Sequence, residues 1–277
     1  MTTLINLTQF TLIEATGLDA EKFLQGQLTT DVTKLAVGDS TITAHCDAKG
    51  KMTSIFRLMR TAEQQFYLLF RTELLPFAFD QLKKYAVFSK VSFAPLNVQI
   101  VGIIGENCGE ISANFKVKLA NAELLINPKD NLEFNGTVAD WDLFEIQQGM
   151  PILSAKTQSE FIPQAVNLQC LEHAISFQKG CYIGQETIAR AKYRGANKRA
   201  MHIFTAQTEF QPEIGSEIEM QLASGWRATG TILSAVHSAE ILWLQVVLNH
   251  PLEEGQQFRL TTDHSILERQ PLPYDLN

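Results

Sequence analysis

The feature that most restricts the fold is a change of pattern near Arg199. Beyond it, Met201–Ala206, Glu217–Gln221, Thr229–Ala235, Ile241–Leu248 and Gln257–Thr261 read as short strands at regular spacing, separated by turns containing Gly, Ser or Pro. Short strands in even succession predict a small closed antiparallel barrel, since closure removes the unpaired edges that a run of strands would otherwise expose. Before Arg199 strands and helices mix. With 277 residues and 45% apolar content, the chain can bury a sizeable core and is expected to divide into two or three cooperating units.

In the mixed part, Phe10–Thr16 reads as a strand ending at Gly17, and Asp19 is placed to cap a helix whose Phe23, Leu24 and Leu28 share one face. Two strands flank the turn Asp47-Ala48-Lys49-Gly50-Lys51, and a third runs through Phe66, Leu68 and Phe70. A helix is expected around Pro76–Tyr85 with Phe79 and Leu82 inward, then strands near Val87–Phe93, Val98–Ile104 and Glu123–Ile126. Asp140 reads as the N-cap of a helix to Gln148, with Gly149 at its C′ position and Pro151 just beyond. Residues 150–170 read as loop, and the segment after Gly180 turns helical at about Gln185–Tyr193, with Gly195 as its stop. The mixture predicts an α+β class of antiparallel sheets and helices.

Several function classes are disfavoured. Met1–Leu7 lacks a basic n-region and a continuous apolar stretch, which predicts no secretory signal, and no apolar run is long enough for a membrane span. The four cysteines Cys46, Cys108, Cys170 and Cys181 are scattered without CxxC spacing, which predicts a reduced, cytoplasmic setting and no resident metal site. A net charge of −7 disfavours a general nucleic-acid binder. The segment from Lys179 to Arg199 nevertheless carries +5, as six bases (Lys179, Arg190, Lys192, Arg194, Lys198, Arg199) against Glu186. Such a band is either a solvated helix face or a site for an anionic partner.

The most informative stretch is Lys179-Gly180-Cys181-Tyr182-Ile183-Gly184-Gln185-Glu186. Two glycines surround a cysteine and a tyrosine directly before a helix. A helix N-terminus and Lys179 would favour a thiolate at Cys181, able to act as nucleophile, redox sensor or transient metal ligand. The plain alternative is a small hydrophobe buried in a tight loop.

This stretch resembles the K-G-C-Y-x-G-Q-E motif of the YgfZ family of folate-binding, aminomethyltransferase-like proteins. The resemblance extends to Gly17–Gln27, to the hairpin Ala44–Met52, to Phe161–Gln164 with Asn167-Leu168, to Ala189–Arg199 and to Pro271–Tyr274. It implies a GcvT-like three-domain ring: a folate-binding α+β domain from residues 1–45 and 136–197, an interleaved second α+β domain from 46–135, and a C-terminal antiparallel β-barrel from 198–277. Tetrahydrofolate or a derivative is the implied cofactor, its pterin in a central hole. Bacterial relatives place tryptophans along the ligand path at the positions of Phe10 and Trp141; Phe10 keeps an aromatic face and loses the indole N–H. By the same resemblance Cys181 is the catalytic candidate, with Lys179 beside it. Phe10, Trp141, Gly180, Tyr182, Gly184, Gln185, Glu186 and Arg194 are the cofactor-binding candidates.

The aminomethyltransferase of glycine cleavage supplies an aspartate from its hairpin close to the reacting folate nitrogen. Here the equivalent stretch, Lys49–Ile55, holds no carboxylate, and Thr53 and Ser54 stand near that place. Without that charge the proton of a reacting amine has no obvious handler. The resemblance therefore implies an accessory role: a folate-binding protein that supports iron–sulfur enzymes such as the tRNA methylthiotransferases, with an indirect effect on replication initiation. Two alternatives stand beside it, a folate-dependent aminomethyl transferase and a tRNA-binding module using the Lys179–Arg199 band.

Overall fold

The computed structural model describes residues 2–105 and 111–276. Cys108 lies outside the described residues. In chain order the first part runs β1 (Thr3–Asn6), β2 (Phe10–Thr16), α1 (Ala20–Gln27), β3 (Ser40–Cys46), β4 (Met52–Ala62), β5 (Gln65–Arg71) and α2 (Leu75–Lys84). It continues through β6 (Ser92–Leu96), β7 (Ile100–Ile104), β8 (Ala113–Lys118), β9 (Ala122–Pro128) and α3 (Val138–Gln147). A long irregular segment with short 3₁₀ turns leads to α4 (Gln185–Arg194). The rest is strand: β10 (Arg199–Gln207), β11 (Ile218–Leu222), β12 (Gly225–Thr229), β13 (Thr231–Ser238), β14 (Ile241–Asn249), β15 (Phe258–Leu260) and β16 (Ile266–Gln270).

Backbone pairing sorts these strands into three antiparallel sheets, ordered β3-β4-β5-β2-β6, β1-β7-β9-β8 and β12-β11-β15-β16-β10-β14-β13. The first two interleave in sequence, because β1 joins the sheet of β7–β9 across the whole of the other sheet. A division between residues 45 and 46 falls inside the β3–β4 hairpin, whose pairing from Ser40↔Met59 to Cys46↔Met52 keeps both strands in one sheet. In the third sheet the two end strands, β12 and β13, are consecutive in sequence and separated only by Gly230 at φ +66°. A methyl there would lie 2.4 Å from the Leu248 side chain, so the bend needs glycine. This continuity closes the sheet around a core that includes Phe204, Ile232, Leu244, Val246 and Phe258, the barrel that the strand spacing predicted.

Two local expectations are corrected. Asp140 does not cap its helix. Thr137 is the N-cap, its side chain accepting from the Asp140 backbone N–H, while Asp140 Oδ2 accepts from the Thr137 N–H at 2.7 Å. Asp140 is thus the third residue of a capping box, where an acid also meets the helix dipole. The strand expected at Val87–Phe93 starts only at Ser92, where pairing with Thr16 of β2 begins. Before it the chain turns repeatedly and Phe88 is fully exposed, so hydrophobicity there does not mark burial. β1 and β8, read as neither strand nor helix from their pattern, are the edge strands of one sheet.

The barrel is tied to the rest by buried polar contacts. Asn167, in the left-handed conformation at φ +63°, donates to the Met201 carbonyl at 2.7 Å and accepts from the Met201 N–H at 3.1 Å. Gln245 of β14 accepts from the Ile152 N–H at 2.9 Å and donates to the Met150 carbonyl at 2.6 Å. Tyr274 donates to the Gly149 carbonyl at 2.7 Å, closing the C-terminal end of α3.

Candidate functional site

A cavity of about 350 Å³ opens where the two α+β sheets meet α3. Its walls are largely apolar: Phe10 from β2, Ile55 and Phe56 from β4, Leu69 from β5, Trp141 and Phe144 from α3, and Leu153. That size lies at the small end of the ~300–1,000 Å³ usual for ligand pockets. The barrel contributes no lining residue, although Gln245 holds Met150 and Ile152 from behind.

The polar end of the cavity is a partly buried ion cluster. Arg71, at the end of β5, bonds Asp142 Oδ1 at 2.7 Å and Glu145 Oε2, and its guanidinium lies 5.2 Å from the centre of the Phe10 ring. Trp141 donates its indole N–H to Glu145 Oε1 at 3.2 Å. Trp141, Asp142 and Glu145 fall at one, two and five in a single helical run, so i+3 and i+4 spacing gathers them on the face toward Arg71. Burial pushes the Glu145 carboxyl above its ordinary range against the pull of Arg71. Burial alone would lower Arg71, but Glu145 and Asp142 outweigh it and hold the guanidinium charged. Trp141 is only 2% exposed, with its ring against Gly102, where a methyl would lie 2.3 Å from the indole. It therefore packs as a wall of the cavity.

On another side the wall is a second ion pair. Arg57 binds Glu172 through two bonds of 2.9 and 3.3 Å, and Glu172 Oε2 also accepts from the Ile42 N–H at 3.0 Å. Arg57, Glu172 and Lys118 border both this cavity and a neighbouring polar cleft.

The cysteine stretch sits elsewhere. Gly184, at φ +80°, packs on the turn of the β3–β4 hairpin. A methyl on it would lie 2.7 Å from the Asp47 carbonyl oxygen and 2.8 Å from Gly50 Cα. Gly50, at φ +78°, faces Thr187 and Gly184 in turn, so the two most distinctive sequence stretches meet glycine to glycine. Tyr182 is buried, and burial raises its phenol pKa. Lys179 lies 4.9 Å from the centre of the Tyr182 ring and is itself buried. Its ammonium donates to the carbonyls of Gln25 at 2.6 Å, Leu28 at 2.8 Å and Thr30 at 2.7 Å. Lys179 thereby satisfies carbonyls at and just past the C-terminus of α1, where a helix leaves them orphaned and its dipole favours a cation. Burial lowers its pKa to about 8, partly opposed by Asp31. Cys181 is exposed, while Cys46 is buried with its thiol pKa pushed up by burial.

The comparisons with known proteins agree with this architecture. Residues 197–263 match the family described as "YgfZ, beta-barrel domain", and residues 1–123 match "GCVT N-terminal domain". A protein of Photorhabdus laumondii named tRNA-modifying protein YgfZ is 40% identical over 308 residues, covering 99% of this chain and 93% of that one. The chain belongs to the YgfZ family. A Yersinia enterocolitica protein of the same name is 37% identical over 309 residues, with 99% of this chain and 93% of that one covered. An uncharacterized protein of Haemophilus influenzae is 57% identical, covering 100% of this chain and 99% of the relative. Among solved structures, the glycine cleavage system aminomethyltransferase T of Bartonella henselae aligns with TM-score 0.73 at 15% identity, covering 99% of this chain and 86% of that one, a likeness of fold. The GcvT-like class of two α+β sheets and a barrel is therefore the fold of this YgfZ chain.

Within that frame the residues singled out from sequence divide into two groups. Phe10 and Trp141 line the cavity. Gly180, Cys181, Tyr182, Gly184, Gln185, Glu186 and Arg194 do not, and Lys179 is engaged in holding α1. Glu186 pairs with Arg190 on the exposed face of α4. The basic band accordingly loses Lys179 to the interior and has Arg190 paired, leaving Lys192, Arg194, Lys198 and Arg199 exposed. Thr53 and Ser54 are fully buried and do not reach the cavity, and Thr53 Oγ1 bonds His45 Nδ1 at 2.6 Å. Sequence reading missed Arg71, Asp142, Glu145, Arg57 and Glu172. The helical spacing from Trp141 could have flagged Asp142 and Glu145. Arg71, Arg57 and Glu172 had no local signal, because their partners are 71 or more residues away. No helix of the described residues is long and apolar enough to cross a membrane.

Proposed function

We propose that this chain binds tetrahydrofolate or a derivative in the Phe10–Trp141 cavity and supports iron–sulfur enzymes that modify tRNA, including those that methylthiolate it. The observation that carries the folate half is a half-buried carboxylate, Glu145, at the polar end of an apolar cavity in a GcvT-like fold. A reduced pterin has ring faces that suit aromatic contact and one edge of N–H donors. Phe10 offers a ring face, and the Glu145 oxygens keep lone pairs beyond those used by Trp141 and Arg71. When bound, the folate would supply one-carbon or redox chemistry; the chain's own residues bind, orient and shield it. The tRNA half rests on the relatives named tRNA-modifying proteins. Cys181, exposed on a loop held rigid by Lys179 and Gly184, is the group free to meet a client enzyme in the cytoplasm.

The test is titration of tetrahydrofolate into the purified protein, followed by intrinsic fluorescence in a Trp226→Phe/Trp243→Phe background that leaves Trp141 as reporter. Saturable quenching is expected; no change at ligand concentrations in the hundred-micromolar range, roughly −5 kcal/mol of binding, would refute the folate half. For Cys181, a Cys181→Ala variant is expressed in cells lacking the family member. Full restoration of tRNA methylthiolation would remove the thiol from the mechanism. An aminomethyl transferase is the less favoured reading, since the hairpin directs no carboxylate into the cavity.

A further inference from the structure

The apolar cavity does not end at the Arg57–Glu172 pair. Arg57, Glu172 and Lys118 also border a polar cleft of about 1040 Å³, so a ligand seated by Phe10 can continue past that ion pair into wider, wetter space. The cleft holds three lysines, Lys34, Lys116 and Lys118, and two further acids, Asp31 and Asp39. Lys34 is within 3.6 Å of Asp31, and Asp31 is also held by Gln25 at 2.9 Å and Thr33 at 2.7 Å. Lys116 and Lys118 are exposed on β8 and have no ion-pair partner among the described residues. Their nearest acid by register is Glu123, directly opposite Lys118 in the β8–β9 pair.

Residues two apart on a strand project to one face, with their Cα atoms roughly 7 Å apart. Two ammonium groups at that spacing with no ion-pair partner among the described residues, at the outer end of an aromatic cavity, match a ligand whose flat head is followed by carboxylates at intervals. We infer that the cleft takes the γ-linked glutamyl tail of a folate, and that Lys116 and Lys118 make the protein select polyglutamylated over monoglutamylated forms. This rests on the proposed folate reading and names the ligand class at that same site. It also moves the anion-binding role away from the Lys192–Arg199 band, which borders neither cavity.

The experiment compares binding of tetrahydropteroyl-monoglutamate and tetrahydropteroyl-triglutamate to the full chain by calorimetry, at low salt and at ~0.15 M salt. Partly exposed charge pairs are individually weak, so two of them predict a triglutamate preference of roughly fivefold to tenfold that shrinks as salt rises. In a Lys116→Ala/Lys118→Ala variant the ratio should fall to about one. In a Lys192→Ala/Arg194→Ala variant it should stay at the wild-type value. Equal affinities in the wild-type chain would overturn the tail inference and leave the folate reading intact. A ratio abolished by the Lys192/Arg194 variant would also overturn it, assigning the tail to the band. Binding of neither folate would sink both readings together.

Discussion

Replacing Lys179 with Met should unfold the protein more readily without touching the surface around Cys181. Met keeps the length and apolar stem of lysine and removes the ammonium. Three carbonyls, those of Gln25, Leu28 and Thr30, then lose donors at 2.6–2.8 Å, and Leu28 and Thr30 are buried. A buried acceptor left without a partner costs ~1–3 kcal/mol. Removing the desolvation cost of a buried ammonium gives part of this back. The net expectation is a loss of about 2–4 kcal/mol, within the range for breaking a buried polar network. Urea unfolding followed by far-UV circular dichroism should show a lower midpoint with an unchanged slope, since the area exposed on unfolding is the same. Lys179→Arg should not restore stability, because a planar fork cannot place three donors on the same three carbonyls. Cys181→Ala, at an exposed site, should unfold like the wild type while losing function in cells. If Lys179→Met unfolds within ~0.5 kcal/mol of the wild type, the lysine is not a structural cap and its place in the motif needs another cause.

Three further outcomes are expected. Gly184→Ala should destabilise by more than ~1 kcal/mol, since its φ of +80° and the 2.7 Å approach to the Asp47 carbonyl both exclude a methyl; a neutral effect in thermal melts would contradict that packing. Glu145→Gln should weaken tetrahydrofolate binding by about tenfold or more, measured by calorimetry, because a charge-assisted acceptor becomes a neutral amide; unchanged affinity would place the pterin edge elsewhere. Burial holds His45 and His202 at a pKa of about 4, with His250 and Arg269 adding to the effect at His202. The unfolded chain therefore binds more protons than the folded one from about pH 6.5 down to about 4. Stability present above pH 6.5 is lost across that window, by roughly 2 kcal/mol per histidine between pH 7 and pH 5. Urea midpoints at the two pH values check this, and His202→Gln should flatten the dependence.

Much of the fold was legible because it is written in local patterns. Five barrel strands showed as short segments at regular spacing between turns, while β12 and β16 did not, and the stop of α3 showed as Gly149 followed by Pro151. The helix after Gly180 was visible at about Gln185–Tyr193, with Gly195 as its stop. Failures came where the local signal was ambiguous. Asp140 and Thr137 both suit an N-cap, and only the backbone geometry decides which residue starts the helix. The apolar run around Phe88 resembles a strand, yet the edge of β2 accepts pairing only from Ser92 onward.

By itself the sequence determined the class of the protein, an α+β body with a C-terminal barrel. It also marked the stretches with distinctive local chemistry, because glycines at strained turns and the cysteine loop are properties of short segments. Only the tertiary structure decided what each of those residues does. It put Phe10 and Trp141 on a common cavity, turned Lys179 from a neighbour of the thiol into the cap of α1, and brought Arg71 to Glu145 and Arg57 to Glu172. Periodicity and turn chemistry act over a few residues and can be read along the chain. Ion pairs and cavity walls join segments seventy or more residues apart, and their partners are fixed only when the sheets and α3 close on one another.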